Sequence, residues 1–418
     1  MELIIENIRC FAGRHTISIK PLTFLTGGNS SGKSTFLAAL AAVHDPGFPL
    51  RPRFNDAPFS LGNFDTIATY KSGRSKRSEQ FSLGFNDNKS PGKLVEEVVA
   101  TYTSRKGLVE VSTVQVKGIS LTALLTFRVE NGRFRVHIDA SREKINEGYE
   151  AEFEVPLGRS SWVRLENLYY FLTRTNNDVG NDTLMFDLAR MLESVSRPPA
   201  LSIAPIRTKP RRTYDQVKEE FDAEGEHMPF VLSELLENEN HKKTLENFGQ
   251  EAGLFRHINL KRLGKNPGDP VQLFVTNMDR EANLLDVGYG VSQALPVVVD
   301  SILAPGNQVL LLQEPEVHLH PRAQAALGSL FVRQYAENKK QFVIETHSDY
   351  IIDRVRQEVA RGRVAANDVQ ILYFEKQGSE TTVFPIVIDE RGNVVDPPPS
   401  YRDFFMEEEL NLLSRSKD

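Results

Sequence analysis

The sequence predicts an α/β fold, a parallel sheet flanked by helices and interrupted by a β-rich insertion. Three observations predict it. Residues 27–34 read Gly27-Gly28-Asn29-Ser30-Ser31-Gly32-Lys33-Ser34, a complete G-x-x-x-x-G-K-[ST] phosphate loop. From 284 to 390, short continuous apolar runs alternate with helix-forming ones, the pattern of strands buried on both faces and joined by helices. Between 46 and 199 the chain is instead rich in β-like runs separated by turn residues.

Taken in order, residues 1–43 read as two short strands, a third strand at Leu22-Thr23-Phe24-Leu25-Thr26, the loop, and a helix-forming run at Thr35–Val43. Strand, glycine-rich turn and helix are the context this loop needs. The glycines let the backbone curl so that successive N–H groups face phosphate oxygens, and the new helix adds its positive end. Lys33 can reach the β- and γ-phosphates, and the Ser34 hydroxyl can ligate Mg²⁺. Residues 44–60 form an irregular Pro- and Phe-rich connection, and Tyr70–Ser78 a basic polar loop. Leu108–Val116 and Phe127–Ala140 are β-like, the latter broken by the hairpin turn Glu130-Asn131-Gly132. Asp182–Val195 has helical spacing of Leu184, Phe186, Leu188, Met191 and Leu192. Residues 213–265 are charged and expected to be helical. Val309–Leu312, Phe342–Ile344, Val369–Phe374 and Thr382–Ile388 are strand candidates, and Arg322–Gln334 and Ser348–Arg361 helix candidates. Phe404-Phe405, after a triple proline, is expected to dock the tail.

Composition narrows the class. The 418 residues suffice for one large domain with insertions or for two to three domains. No apolar run approaches the ~20 residues of a membrane span, and the acidic start Met1-Glu2-Leu3-Ile4-Ile5-Glu6 is no signal peptide. A single cysteine, Cys10, rules out a disulfide framework within the chain and suits a reducing cytoplasm. A net charge of −6 argues against a surface that is basic overall.

The second half carries the remaining chemistry. Gln308-Val309-Leu310-Leu311-Leu312-Gln313-Glu314-Pro315 is a buried strand ending in polar groups, and strand carboxyl ends are where ligand chemistry sits in such sheets. Phe342-Val343-Ile344-Glu345-Thr346-His347-Ser348 ends a second strand with a histidine. Leu285-Asp286-Val287-Gly288-Tyr289-Gly290-Val291-Ser292-Gln293 precedes an apolar helix, and Ser292 with the N–H groups after it can bind a further phosphate.

This order of motifs resembles the ABC-type ATPase head, and within it the SMC/RecF/OLD-like set of bacterial ATPases. Glu314-Pro315-Glu316-Val317-His318-Leu319-His320-Pro321 and Gly288-Tyr289-Gly290-Val291-Ser292-Gln293 carry the likeness. The resemblance implies a P-loop NTPase fold of the ABC head type, with a mixed sheet, a β-rich insertion and a helical lid. It places the core at 1–45 and 200–390, with its helical segment at about 213–265. The insertion lobe with its helix is then 46–199, and the tail 391–418 packs on the core. It implies that Gly28, Asn29, Ser30, Ser31, Gly32, Lys33, Ser34 and Thr35 hold ATP, with Ser34 and Gln313 on the Mg²⁺ side. Lys33, Glu314 and His347 would serve catalysis, and Gly290, Ser292 and Gln293 would complete the site of a second copy. Arg9 and Phe11 would lie near the base, and Asn63 stands in for a glutamine-loop residue.

The implied function is an ATP-driven switch. It would form a homodimer or higher homo-oligomer around an ATP sandwich and signal to a protein effector or to DNA, in bacterial anti-phage defence. The alternatives are a RecF-like DNA-binding ATPase in repair, or the ATPase subunit of an OLD-type nuclease complex. One departure stands out: where the family commonly has two adjacent acids, this chain has Gln313-Glu314, and Glu316 is a candidate to compensate. His318 and His320 fall short of a metal ligand set. Arg207-Thr208-Lys209-Pro210-Arg211-Arg212 reads first as a solvated loop or salt-bridge cluster and second as a grip on nucleic acid. Lys71, Arg74, Lys76 and Arg77 divide the same way. Lys261-Arg262-Leu263-Gly264-Lys265 reads as charged surface and Trp162 as core.

Overall fold

Leu22, Thr23, Phe24 and Leu25 are all buried, as a strand with neighbours on both edges requires. In the computed structural model, which describes residues 1–401 except 71–76, 88–93, 120, 131–132, 143–146, 157–182, 196, 216–217, 267–268 and 278–279, this strand is the centre of a seven-stranded sheet. The order is Leu201–Ile203, Val309–Gln313, Gln341–Glu345, Leu22–Gly27, Val369–Gln377, Glu380–Ile388, Val394–Val395. The first five are parallel, and the last pair is antiparallel, so the sheet is mixed. Parallel strands bring their carboxyl ends to one edge, and the phosphate loop, Glu314 and His347 follow three of those ends.

The helices that bury this sheet are Tyr289–Leu303, Pro321–Asn338 and Asp349–Ala360. Their limits follow from local chemistry. Ser348 caps the last by accepting from the Ile351 N–H at 3.2 Å. His320 caps the second, with Pro321 in its first turn, where no amide donor is needed. Lys339, in the left-handed region at φ 58°, ends it.

Two expectations about organisation need correction. The 213–265 stretch is not helical throughout: it holds the helices Met228–Glu237 and Glu239–Ala252, then the strand His257–Arg262. That strand pairs antiparallel with Val271–Asn277, which pairs with Arg280–Asn283. His257, Asn259 and Lys261 are exposed while Ile258 is buried, a period of two that the density of charge obscures. The other correction concerns 1–45. Glu2–Ile8 and Phe11–Ser18 belong to an eight-stranded antiparallel sheet with Gln80–Asn86, Val95–Arg105, Leu108–Gly118, Thr122–Glu130, Arg133–Arg142 and Glu147–Pro156. Leu3, Ile4 and Ile5 stand opposite Phe85, Gly84 and Leu83.

The chain accordingly divides into one unit of Met1–Ile19, Ser34–Ala200 and Gln377–Thr381, and another of Lys20–Lys33, Leu201–Lys376 and Thr382–Asp418. In the first, the helix Thr183–Glu193 buries Leu188, Met191 and Leu192. In the second, the described part of the tail reaches the sheet: the Tyr373 hydroxyl donates to Ser400 O at 3.0 Å, and Tyr401 packs edge-on against the Tyr373 ring. Trp162, Lys71, Arg74, Lys76, Asn131, Gly132 and Phe404-Phe405 lie outside the described residues. Among the described residues, no helix is long and apolar enough to cross a membrane.

A buried polar pair fixes the Tyr289–Leu303 helix. The Asp222 N–H donates to His227 Nδ1 at 3.2 Å, which leaves the ring proton on Nε2, 2.9 Å from Asp300 Oδ1. Asp300 Oδ2 has no hydrogen-bond partner, and burial pushes this carboxyl above the usual range. Removing one partner strands the other. His227→Ala is expected to cost about 3–5 kcal/mol in urea denaturation, and His227→Leu with Asp300→Leu clearly less than the sum of the single changes.

Candidate active site

The loop after Leu22–Gly27 is shaped by positions that only certain residues tolerate. Gly27 has φ +132°, and a Cβ there would stand 2.2 Å from Phe374 O on the neighbouring strand. Ser30 and Gly32 also have positive φ, +57° and +102°, so the backbone curls. Gly28, Asn29 and Ser30 are exposed, whereas Ser31, Lys33 and Thr35 are buried. Lys33 Nζ donates to Gly27 O at 3.0 Å and Gly28 O at 2.9 Å. An ammonium has three donors, so an anion oxygen at the loop mouth can take the third. Burial lowers the Lys33 pKa, and the charges of Glu345 and then Glu314 oppose that. Ser34 is exposed in the first turn of the helix Lys33–Val43.

At the same sheet edge, Glu314 takes φ +42° immediately after its strand. Its N–H donates to Glu345 O at 2.8 Å. Its carboxylate is half-exposed, with Oε1 3.9 Å from Nε2 of the equally accessible His347. Below this pair lies a buried layer. Gln313 Nε2 donates to Glu345 Oε2 at 3.4 Å, and the two residues are partners in the parallel ladder. Glu316 does not supply charge beside Gln313. Its Oε1 accepts from the Thr346 hydroxyl at 2.8 Å and the His347 N–H at 2.6 Å, bracing the histidine turn. Burial pushes its pKa up, and Oε2 has no hydrogen-bond partner. The residues of this unit fit a Mg²⁺-nucleotide: a buried lysine, a curled glycine-rich backbone, and an acid and amide paired at the sheet edge.

Arg207 is the residue least foreseen. It heads the basic 207–212 segment yet is 2% exposed. Nη2 donates to Glu314 O at 3.0 Å and Gln313 O at 3.5 Å, and Nη1 to Gln293 O at 3.4 Å. Burial pushes the guanidinium down to about 10, opposed by Glu316, Glu314 and Tyr289. The rest of the segment disperses: Arg212 forms a two-point pair with Asp286, and Arg211 stands 3.6 Å from Glu226. Among the described residues of 207–212, no continuous basic strip remains.

The segment expected to face a second copy is placed differently from the expectation. Ser292 lies one turn inside the Tyr289–Leu303 helix, buried, with its hydroxyl donating to Tyr289 O at 2.8 Å. Gln293 is buried too. The exposed residues are Gly288, which caps the helix, and Tyr289, with Gly290 half-buried beside them. The Tyr289 ring packs edge-on against exposed His318, 5.0 Å between centroids. His320 caps its helix, and no group of three or more metal-ligating side chains occurs among the described residues.

In the other unit, Phe11 is fully buried and Arg9 donates to Ser60 O and Leu61 O at 3.2 and 3.0 Å. Phe11 is committed to that unit's core, and the half-buried Arg9 holds the 60–61 main chain. Asn63 caps the short helix Phe64–Ile67 by accepting from the Thr66 N–H. Glu345 was legible only as the end of an apolar run. Its signal was the acid at the carboxyl edge of the strand beside Gln313.

A model of the family described as "AAA domain, putative AbiEii toxin, Type IV TA system" matches residues 22–353. No curated protein matches the chain. Among solved structures, the chain is similar to an SMC head bound to the C-winged helix domain of ScpA, at 11% identity over 93% of this chain and 98% of that one, with a TM-score of 0.45. It is similar also to the SMC head domain from Thermotoga maritima, at 11% identity over 93% and 98%, TM-score 0.42. A third is an SMC head with an extended coiled coil bound to the C-terminal domain of ScpA derived from Pyrococcus furiosus, at 8% identity over 100% and 99%, TM-score 0.41.

Arg207 offers a test of the buried layer. Arg207→Met leaves the carbonyls of Glu314 and Gln293 without their donor. It is expected to cost about 2–4 kcal/mol in urea denaturation, with Arg207→Lys recovering only part.

Proposed function

The chain belongs to the family described as "AAA domain, putative AbiEii toxin, Type IV TA system" and has a P-loop NTPase fold; from that premise we propose that it binds and hydrolyses ATP between two copies of itself. The observation that carries this is the convergence of three groups at one sheet edge: desolvated Lys33, and the half-exposed Glu314 and His347, 3.9 Å apart. Gly28 to Lys33 curl around the phosphates, with Ser34 and Thr35 opening the helix behind them. Glu314, accessible and anchored through its backbone, accepts the proton of the attacking water or orients it. His347, held by Glu316, steadies the γ-phosphate. The Gln313 side would hold Mg²⁺, whose charge would offset that of the phosphate oxygens.

The second copy contributes the start of the Tyr289–Leu303 helix. Its first N–H groups point out of Gly288-Tyr289-Gly290 with no side-chain cap, which suits an anion. Ser292 and Gln293 serve this surface from behind, as support. Nucleotide then shifts the equilibrium toward the closed pair because it touches both copies only there. The output goes to a protein effector. The family's description, which names a toxin–antitoxin system, supports a place in defence. The ion-paired 207–212 segment gives little support to a DNA-directed output.

Lys33→Ala is expected to abolish ATP binding measured by calorimetry. Glu314→Gln is expected to keep binding, lose hydrolysis by about a hundredfold or more, and accumulate an ATP-dependent dimer in light scattering. A strictly monomeric ATP-bound Glu314→Gln protein would overturn the two-copy arrangement. Gly288 has φ −56° and open space around its Cα, so Gly288→Glu is expected to fold and bind ATP normally. Its carboxylate would nevertheless prevent the ATP-dependent dimer.

A further inference from the structure

We infer that Glu345 is a positioning residue for the metal side of the phosphate site, carrying through Gln313 the negative charge that Gln313 itself lacks. The inference rests on the ATP reading above and adds a residue to it.

The ladder register comes first. Gln313 and Glu345 are direct partners on adjacent parallel strands at the carboxyl edge, so their side chains leave the sheet on the same face. The contact follows from the register: the Gln313 amide donates from Nε2 to Glu345 Oε2. An amide whose donor end is tied to a carboxylate keeps its Oε1 as a free-standing acceptor end, polarised by the acid behind it. A water on a metal offers protons, and an amide oxygen backed by a carboxylate accepts them better than an amide alone. Glu345 is 5% exposed, and a buried carboxylate is costly unless something balances it. Lys33 is near enough for Glu345 to be the foremost charge sustaining its ammonium.

The main chain fixes the acid in place. Its carbonyl accepts the Glu314 N–H, and the next N–H, that of Thr346, donates to Leu25 O on the phosphate-loop strand at 3.1 Å. Glu316, the other buried acid of this edge, has its bonded oxygen committed to Thr346 and His347, so it does not take the same role. The sequence has thus moved the charge sideways by one strand rather than deleting it.

The test compares ATP affinity in Mg²⁺ with ATP affinity in EDTA, by calorimetry, in wild type, Glu345→Gln, Gln313→Asp and Gln313→Asp/Glu345→Gln. Glu345→Gln is expected to lower the Mg²⁺-dependent gain in affinity by about tenfold while affinity in EDTA holds or rises. The double variant, which returns the charge to position 313, is expected to recover the gain to within a few-fold. Gln313→Asp alone sets two carboxylates face to face, and its Mg²⁺ gain is expected to become steeply pH-dependent. A folded Glu345→Gln protein with the wild-type Mg²⁺ gain would overturn the inference, as would a folded double variant that fails to recover. If Glu345→Gln does not fold, the double variant is decisive alone: near-wild-type gain supports the inference and lost gain overturns it. Wild type failing to bind ATP at all would instead overturn the ATP reading itself.

Discussion

The hydrogen-bond ladder at the carboxyl edge of the parallel sheet sets everything at this site. Gln341–Glu345 lies between the phosphate-loop strand and Val309–Gln313, and its last main-chain groups bond both ways. Glu345 O accepts from Glu314, and Thr346 N–H donates to Leu25 O. Two such bonds tie the Glu314 turn to the strand that launches the phosphate loop. On the loop's far side, Gly27 lies so close to Phe374 that no side chain fits. The loop is thus held between two neighbours, and its positive-φ residues need not find their shape on their own.

Charge accounts for the next layer. Lys33 and Arg207 are buried cations, and Glu345 and Glu316 are buried acids. In a low-dielectric interior each is costly alone. Their arrangement separates their tasks. Glu345 faces Gln313 and the lysine, Glu316 braces the histidine turn, and Arg207 neutralises from behind while bonding main-chain carbonyls. Glu314 and His347 stay half-exposed above them. The two side chains proposed to act on the nucleotide carry little structural duty, because the buried residues perform it.

The sequence made part of this legible. A phosphate loop needs its glycines and lysine at fixed spacing, and strands buried on both faces need continuous apolar runs, so Leu22–Gly27, Val309–Gln313 and Gln341–Glu345 could be read directly. Side-chain partners across strands depend on register, which spacing does not reveal. Spacing alone therefore shows Glu345 as the end of an apolar run and offers Glu316 as the compensating acid. Arg207 misleads for a related reason: four polar or basic neighbours in the segment suggest surface, yet one guanidinium that satisfies three carbonyls can be buried. Ser292 shows the limit of motif reading. A serine ahead of an apolar run suggests a phosphate-binding helix start, but the N-cap lies four residues earlier at Gly288, and the Ser292 hydroxyl bonds back to Tyr289 O.

That shift of four residues bears on how the two ends of the site are joined. Pro296 inside the same helix removes the N–H that would otherwise bond the Ser292 carbonyl. The helix start is therefore less firmly held by its own ladder than a regular helix would be. Arg207 acts at this weak point, donating to the carbonyl of Gln293 with one nitrogen and to that of Glu314 with the other. His227 and Asp300 anchor the helix beyond the proline. A displacement of the Glu314 turn must then either break the Arg207 bonds or carry the Gly288–Gln293 end with it. Breaking them strands a buried guanidinium, which is costly. The carboxylate proposed to act on water and the helix end proposed to meet the second copy are in this way linked through the hydrogen bonds of one buried side chain.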